Sequence, residues 1–196
     1  MFKELTWANS FKLMTGLMFY GLGLSLIVQA HIGVPPWDVL ALGISKTLSI
    51  SYGMASIMVS FLALLAWIPL KVRPGIGSIA NAILIGLWAD FFMQFIRPFG
   101  GFWVSLLMFC AGMVIVAIAT GLYISAKLGK GPRDGLMLGT AAALKTKLWI
   151  VRTGYEIAVL TTGWLLGGQV GVGTVLFAIC IGYLMQTSIR LFKADN

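Results

Sequence analysis

Two carboxylates stand where this apolar chain could do chemistry. Asp38 and Asp134 each follow a proline by two residues, in Pro36-Trp37-Asp38 and Pro132-Arg133-Asp134. Proline suits the first position of a helix because its missing N–H would have no partner there. A carboxylate in the first turn faces the positive end of the helix dipole. The orphan N–H groups of such a helix end can bind an anion or a polar group. The aspartate either caps those groups or faces a cavity and takes a cation or a proton. With Pro36, Asp38, Pro132 and Asp134, the neighbouring Gly33, Gly129 and Arg133 and the polar Gln29 and Asn81 form the expected substrate-binding set.

Other ionisable residues lie deeper in apolar surroundings. Asp90 sits among Trp88, Phe91 and Phe92 with no Lys or Arg nearby in sequence. A lone charge at the centre of a bilayer costs roughly 2.5–3.5 kcal/mol on insertion scales. Asp90 is therefore either a proton or cation site on a pathway or a carboxylate wetted near the outer interface. Arg152 and Glu156 are four apart on one helix face, where they form an ion pair or contact a substrate or gate. Asp90, Glu156 and Arg152 are the candidate coupling residues. His31 is the sole histidine, so no His-based metal cluster is available; it is a solvated loop residue or a pH sensor at the outer mouth. Cys110 and Cys180 fall in apolar runs and read as packing thiols. No Zn-protease, nucleophile-elbow or phosphate-loop motif occurs, so neither enzyme activity nor a cofactor is expected.

The elements that must position these residues belong to a membrane. The chain is 59% hydrophobic and 10% charged, against about 25% charged in soluble domains. Its net charge of +8 reads as Lys and Arg in cytoplasmic loops, not as a nucleic-acid surface. Six stretches are long enough to cross about 30 Å of hydrocarbon: 12–31, 53–71, 76–96, 101–126, 148–168 and 172–190. Two helical stretches, Pro36 to Leu48 and Pro132 to Leu144, are only about 20 Å long at 1.5 Å per residue. They are re-entrant, interfacial or fully crossing. If they do not cross, twelve basic residues lie inside (Lys3, Lys12, Lys71, Arg73, Lys127, Lys130, Arg133, Lys145, Lys147, Arg152, Arg190 and Lys193) and only Lys46 and Arg97 outside. That split favours six spans with two re-entrant half-helices and both termini cytoplasmic. The first apolar run, Leu13 to Ala30, follows Lys3 and Lys12 like a signal peptide but reads as a retained span, because the second half of the chain carries its counterpart.

That counterpart is part of an internal repeat. Gly33 to Gly43 aligns with Gly129 to Gly139, and Gly75 to Gly86 with Gly171 to Gly182, the second pair with six identities in twelve positions. Both keep one offset, since 129 − 33 and 171 − 75 are 96. Repeat one covers about 12–97 and repeat two about 101–193, within a single membrane domain of 1–196. Three crossings per repeat would invert the second half, an arrangement common in secondary transporters. Its glycines suit close helix packing. Beside its proline and aspartate the first motif departs from the second: Trp37 and Pro35 stand where the second has Arg133 and Gly131.

Gly121-Leu-Tyr-Ile-Ser, Gly131-Pro-Arg-Asp-Gly-Leu-Met, Val151-Arg-Thr-x-x-Glu156 and Gly163-Trp-Leu-Leu-Gly-Gly-x-Val-Gly-Val-Gly-Thr174 closely resemble the YczE/YyaS/YitT family of bacterial integral membrane proteins, the YczE branch in particular. The likeness runs along nearly the whole chain. It implies a multi-pass protein of the bacterial cytoplasmic membrane, and some related proteins are classed as exporters, including novobiocin exporters.

The expected fold is thus an all-α polytopic membrane protein with six transmembrane helices, two re-entrant half-helices and two inverted-topology repeats. The expected function is secondary transport or export of a small molecule between the two Pro-x-Asp tips. A passive channel or facilitator, or a non-transporting subunit of a larger complex, is the alternative. The partners implied are the lipid bilayer, a small-molecule substrate and a second copy in a homo-oligomer, with no nucleic acid.

Overall fold

A computed structural model describes residues 5–97 and 100–192; Lys3 and Lys193 of the inner basic set lie outside them. The described residues form eight α-helices: α1 Trp7–Gln29, α2 Pro36–Leu48, α3 Tyr52–Leu65, α4 Ile76–Met93, α5 Phe102–Ile124, α6 Pro132–Ala143, α7 Leu148–Leu165 and α8 Val172–Leu191. The chain is an all-helical membrane protein. Leu62, Leu107, Ile179 and Leu165 are more than half exposed, an apolar surface suited to lipid and not to water.

Four helices, α1, α4, α5 and α8, are long and apolar enough to cross a bilayer, and a fifth span arises if α2 and α3, bent by 118°, count as one. Six were expected. The stretch 53–71 is cut short because Pro69 lacks an N–H and its ring clashes with the carbonyl four residues back. Helix α3 stops at Leu65, and single turns continue the path, with Trp67 N–H donating to Leu64 O and Lys71 N–H to Ile68 O. Its 14 residues make about 21 Å. Helix α7 carries Arg152, Glu156 and several threonines on 18 residues and is more polar than the four. The short helices α2 and α6 begin at Pro36 and Pro132, as their sequence dictates, and neither has a side-chain cap.

The backbone recurs at the interval seen in the sequence. Helices α2 and α6, α3 and α7, and α4 and α8 start 96 residues apart. Positive φ is uncommon outside glycine, yet His31 and Lys127, Ser49 and Lys145, Gly33 and Gly129, and Lys71 and Gly167 adopt it as pairs separated by 96. Only Gly101, between the halves, has no counterpart among the described residues.

Tertiary contacts pair in the same way. Helices α1 and α5 run antiparallel: Gly16 abuts Tyr123, while Gly23 abuts Gly112 and Val116. The loop after α1 rests on the start of α8, where Gly173 N–H donates to Ile32 O at 2.7 Å. The loop after α5 rests on the start of α4, where Gly77 N–H donates to Leu128 O at 2.9 Å. Each Pro-x-Asp helix is thus held by a long helix of the other half. A Cβ on Gly33 would strike Gly171, and one on Gly129 would strike Ser78, so these close approaches require glycine.

Candidate functional site

Side chains from the starts of α2 and α6 meet. Asp38, only 1% exposed, accepts from Arg133 Nη2 at 2.9 Å and from Tyr52 Oη at 3.0 Å. Its other oxygen lies 3.5 Å from Arg133 Nη1. The Arg133 guanidinium also stands over the Trp37 ring, 5.5 Å from its centroid, within cation–π range. Trp37 and Arg133 occupy the same place in the two halves, since 133 − 37 is 96. The departure between the repeats is therefore a joint between them. Of the two roles open to Asp38, capping its own helix is not the one adopted; its carboxylate neutralises the arginine of the opposite tip.

Trp67 fixes the second tip from the α3 side. Its Nε1–H donates to Pro132 O at 2.9 Å, and its ring covers Gly135, where a Cβ would collide with it. Across the molecule Gly163, which is 96 residues after Trp67, lies against Val39 and Leu40 of α2. One half fills this place with indole and the other with backbone contact.

A cavity of about 110 Å³ opens at the joint. Pro36, Trp37, Asp38, Asn81, Pro132, Arg133, Asp134, Arg152 and Glu156 line it, with Tyr20, Tyr123, Ser56 and Ser60. It adjoins a second cavity of about 430 Å³ between α5, α6, α7 and α8, which Gly129, Lys130, Leu148 and Gln186 border. Tyr123, Asp134 and Arg152 line both. Asp134 sits at the junction with no hydrogen bond or ion pair among the described residues, and Arg152, Arg133 and Lys130 bring positive charge to bear on it. Arg152 Nε donates to Glu156 Oε1 at 2.8 Å, the two side chains being 51% and 32% exposed. This is the intrahelical pair expected from their spacing, and it faces the cavity.

Three residues of the expected set line neither cavity. Gln29 is directed instead to Met93 O, 3.5 Å away, joining α1 to α4. Gly33 packs with φ of +111° against the start of α8. Asp90 caps α3: its carboxylate accepts from Gly53 N–H at 2.7 Å and from the Ser51 hydroxyl, because the start of α3 passes directly beside α4. His31 faces Gln169, with Nδ1 3.4 Å from its Nε2. The tyrosines at 20, 52 and 123, together with Trp67, were not singled out by sequence. Matching the halves passes over them, since Ile27 and Leu148 stand at the positions equivalent to Tyr123 and Tyr52. Only burial of a polar ring within a span could have marked them.

Comparison with known proteins gives the same class without an activity. Residues 8–190 match the model of a family of unknown function, DUF6198. An uncharacterized protein of Haemophilus influenzae is 36% identical over 94% of this chain and 87% of its own length. The uncharacterized membrane protein YczE of Bacillus subtilis is 32% identical over 89% of this chain and 82% of its own, and YyaS of the same organism is 25% identical over 87% and 86%. No solved structure matches. The chain is a member of the DUF6198 family, to which its likeness to YczE and YyaS had pointed.

Proposed function

We propose that the protein is a secondary transporter or exporter of a small molecule, with its substrate held at the joint of the α2 and α6 tips. One observation carries this reading: the cavity at the joint continues between α7 and α8 on one side and stops at α3 and α4 on the other. Helices α3 and α4 touch through glycine, so that a Cβ on Gly53 or Gly86 would strike the other's carbonyl. The equivalent Gly182 on α8 has nothing within 4 Å of its Cβ position.

In this reading the halves are inverted-topology repeats. The antiparallel α1 and α5, the paired contacts and the recurring positive-φ residues support it. Helices α1, α3, α4, α5, α7 and α8 cross, the turns after α3 completing its span, while α2 and α6 enter and turn back. Irregular backbone at that depth is tolerated where it packs on protein or lines a cavity. Along the chain, Lys127 follows α5, Lys145 and Lys147 precede α7 and Arg190 ends α8 at the open seam, whereas Lys46 precedes α3 and Arg97 follows α4 at the closed one. By the positive-inside rule the cavity then opens to the cytoplasm of a bacterial cell. Exchanging the conformations of the two halves would close α7 on α8 and part α3 from α4. Glu156, held by Arg152 in the cavity wall, is the proton-coupling group, and Asp90 latches the closed seam.

Cross-linking tests the alternation without knowledge of the substrate. Trp149→Cys with Gly182→Cys joins the positions equivalent to the closed Gly53–Gly86 contact. A transporter forms this disulfide, and its formation raises the labelling rate of Ile57→Cys at the opposite seam. No cross-link, with Ile57→Cys labelling unchanged, would mean a fixed conformation and sink the proposal.

A further inference from the structure

We infer that the cavity at the joint binds a small hydroxylated amine, its ammonium on Asp134 and its hydroxyl among Ser56, Ser60 and Asn81. The inference rests on the site proposed above and names its ligand class.

The charge of the cavity wall decides the sign of the ligand. Arg133 is committed to Asp38 and to the face of Trp37, and Arg152 to Glu156. Two of the three acids are thus neutralised within the wall. Asp134 alone has neither a hydrogen bond nor an ion pair among the described residues, although it lines both cavities. Lys130 borders only the larger cavity and is exposed. An anionic ligand would have to displace an existing pair, and a cation would complete one.

The polar groups of the wall decide what else the ligand carries. Asn81, Ser56 and Ser60 are 8%, 3% and 7% exposed, and none of their side chains hydrogen-bonds within the described residues. Nor do the side chains of Tyr20 and Tyr123. These polar atoms are not sealed in the packing, where the unpartnered ones among the described residues are the indole N–H groups of Trp37 and Trp88; they open onto the cavity, where a polar guest can pair with them. The atoms near Gly131 show the convergence: a Cβ there would stand 3.1 Å from Asp134 Oδ2, 3.2 Å from Tyr123 Oη and 3.8 Å from Asn81 Nδ2. Aromatic faces beside a carboxylate also suit an ammonium.

The polar group at the joint is small: a cavity near 150 Å³ takes a six-carbon ring, so the joint's own volume of about 110 Å³ takes roughly four to six heavy atoms, and a larger ligand would extend past Asp134 into the adjoining cavity. Ethanolamine is the natural probe, with ethylammonium as its counterpart lacking the hydroxyl.

The test is equilibrium binding to the purified full chain, read as the shift of the melting midpoint against ligand concentration at constant ionic strength. Ethanolamine should give a saturable shift, weakened at least tenfold in Asp134→Asn, whereas acetate should give none. Ser56→Ala with Ser60→Ala should erase the preference for ethanolamine over ethylammonium, which keeps the test open if the Asp134 variant folds poorly. No saturable shift with ethanolamine, a response to acetate instead, or undiminished binding in Asp134→Asn would overturn the inference. Binding does not depend on alternation. An amine-binding protein that never forms the 149–182 cross-link would refute transport and leave this inference standing. A chain that cross-links but ignores amines would do the reverse.

Discussion

The seam between α3 and α4 and the seam between α7 and α8 come from equivalent stretches of the chain and have opposite fates. At the first, Gly53 and Gly86 bring two backbones into contact, and the Asp90 carboxylate ties α4 to the start of α3 through Ser51 and Gly53. At the second, Trp149 stands in place of Gly53, Gln186 in place of Asp90 and Lys147 in place of Ser51. Neither the glycine contact nor the carboxylate latch is available there. One half holds its two helices together by these contacts, and the other lacks the residues that make them. Two stretches of similar backbone thus pack closely in one half and stand apart in the other, and these three differing residues lie at the contact.

The largest effect is expected at the joint that both seams share. Arg133→Ala leaves the buried Asp38 without its cation, a loss of about 3–5 kcal/mol for a buried pair broken on one side. Equilibrium unfolding in mixed micelles measures it, and adding Asp38→Asn should recover part of the loss. The contrast with Arg152→Ala sharpens the point. That pair is half exposed, and its removal should cost less than about 0.5 kcal/mol.

Next comes the packing of the seams themselves. Gly53→Val forces two backbones apart and should cost about 1–3 kcal/mol, the usual range for overpacking. Gly182→Val enters open space and should leave the melting midpoint where it is. Equal losses at both would erase the comparison. A smaller difference separates Asp90→Ala from Gln186→Ala. The first removes an acceptor from the start of α3 and should cost about 1 kcal/mol, as cap deletions do; the second, with no side-chain hydrogen bond among the described residues, should be close to neutral. Trp67→Phe removes one hydrogen bond to Pro132 O and should cost about 0.5–1.5 kcal/mol, seen as a lowered midpoint.

Much of this was legible in the residues. Pro36 and Pro132 mark the starts of the short helices, and the offset of 96 recurs in helix starts, in positive φ and in contacts. The Arg152–Glu156 pair follows from spacing alone. What the sequence hid was long-range. Nothing near Arg133 in the chain says that its partner is Asp38, 95 residues away, because tertiary contact decides it. The repeat marks residues that match between the halves, whereas Tyr52, Tyr123 and Trp67 stand where the halves differ. The residues around Pro69 are apolar enough to suggest a span to residue 71, whereas that proline ends α3 at Leu65. Gln29, Gly33 and Asp90 were polar or small at plausible depths, yet each serves a helix contact beside the cavity.

The inverted arrangement of the halves underlies the whole account, and sidedness tests it most directly. In a Cys110→Ala, Cys180→Ala background, single cysteines replace Lys46 at the end of α2 or Lys145 just beyond α6, both exposed, and intact cells are treated with an impermeant thiol reagent. The account predicts labelling at 46 and none at 145 until the membrane is opened. Equal accessibility at both positions would mean that the halves run parallel, and the joint of the two tips would then not be a site between opposed halves.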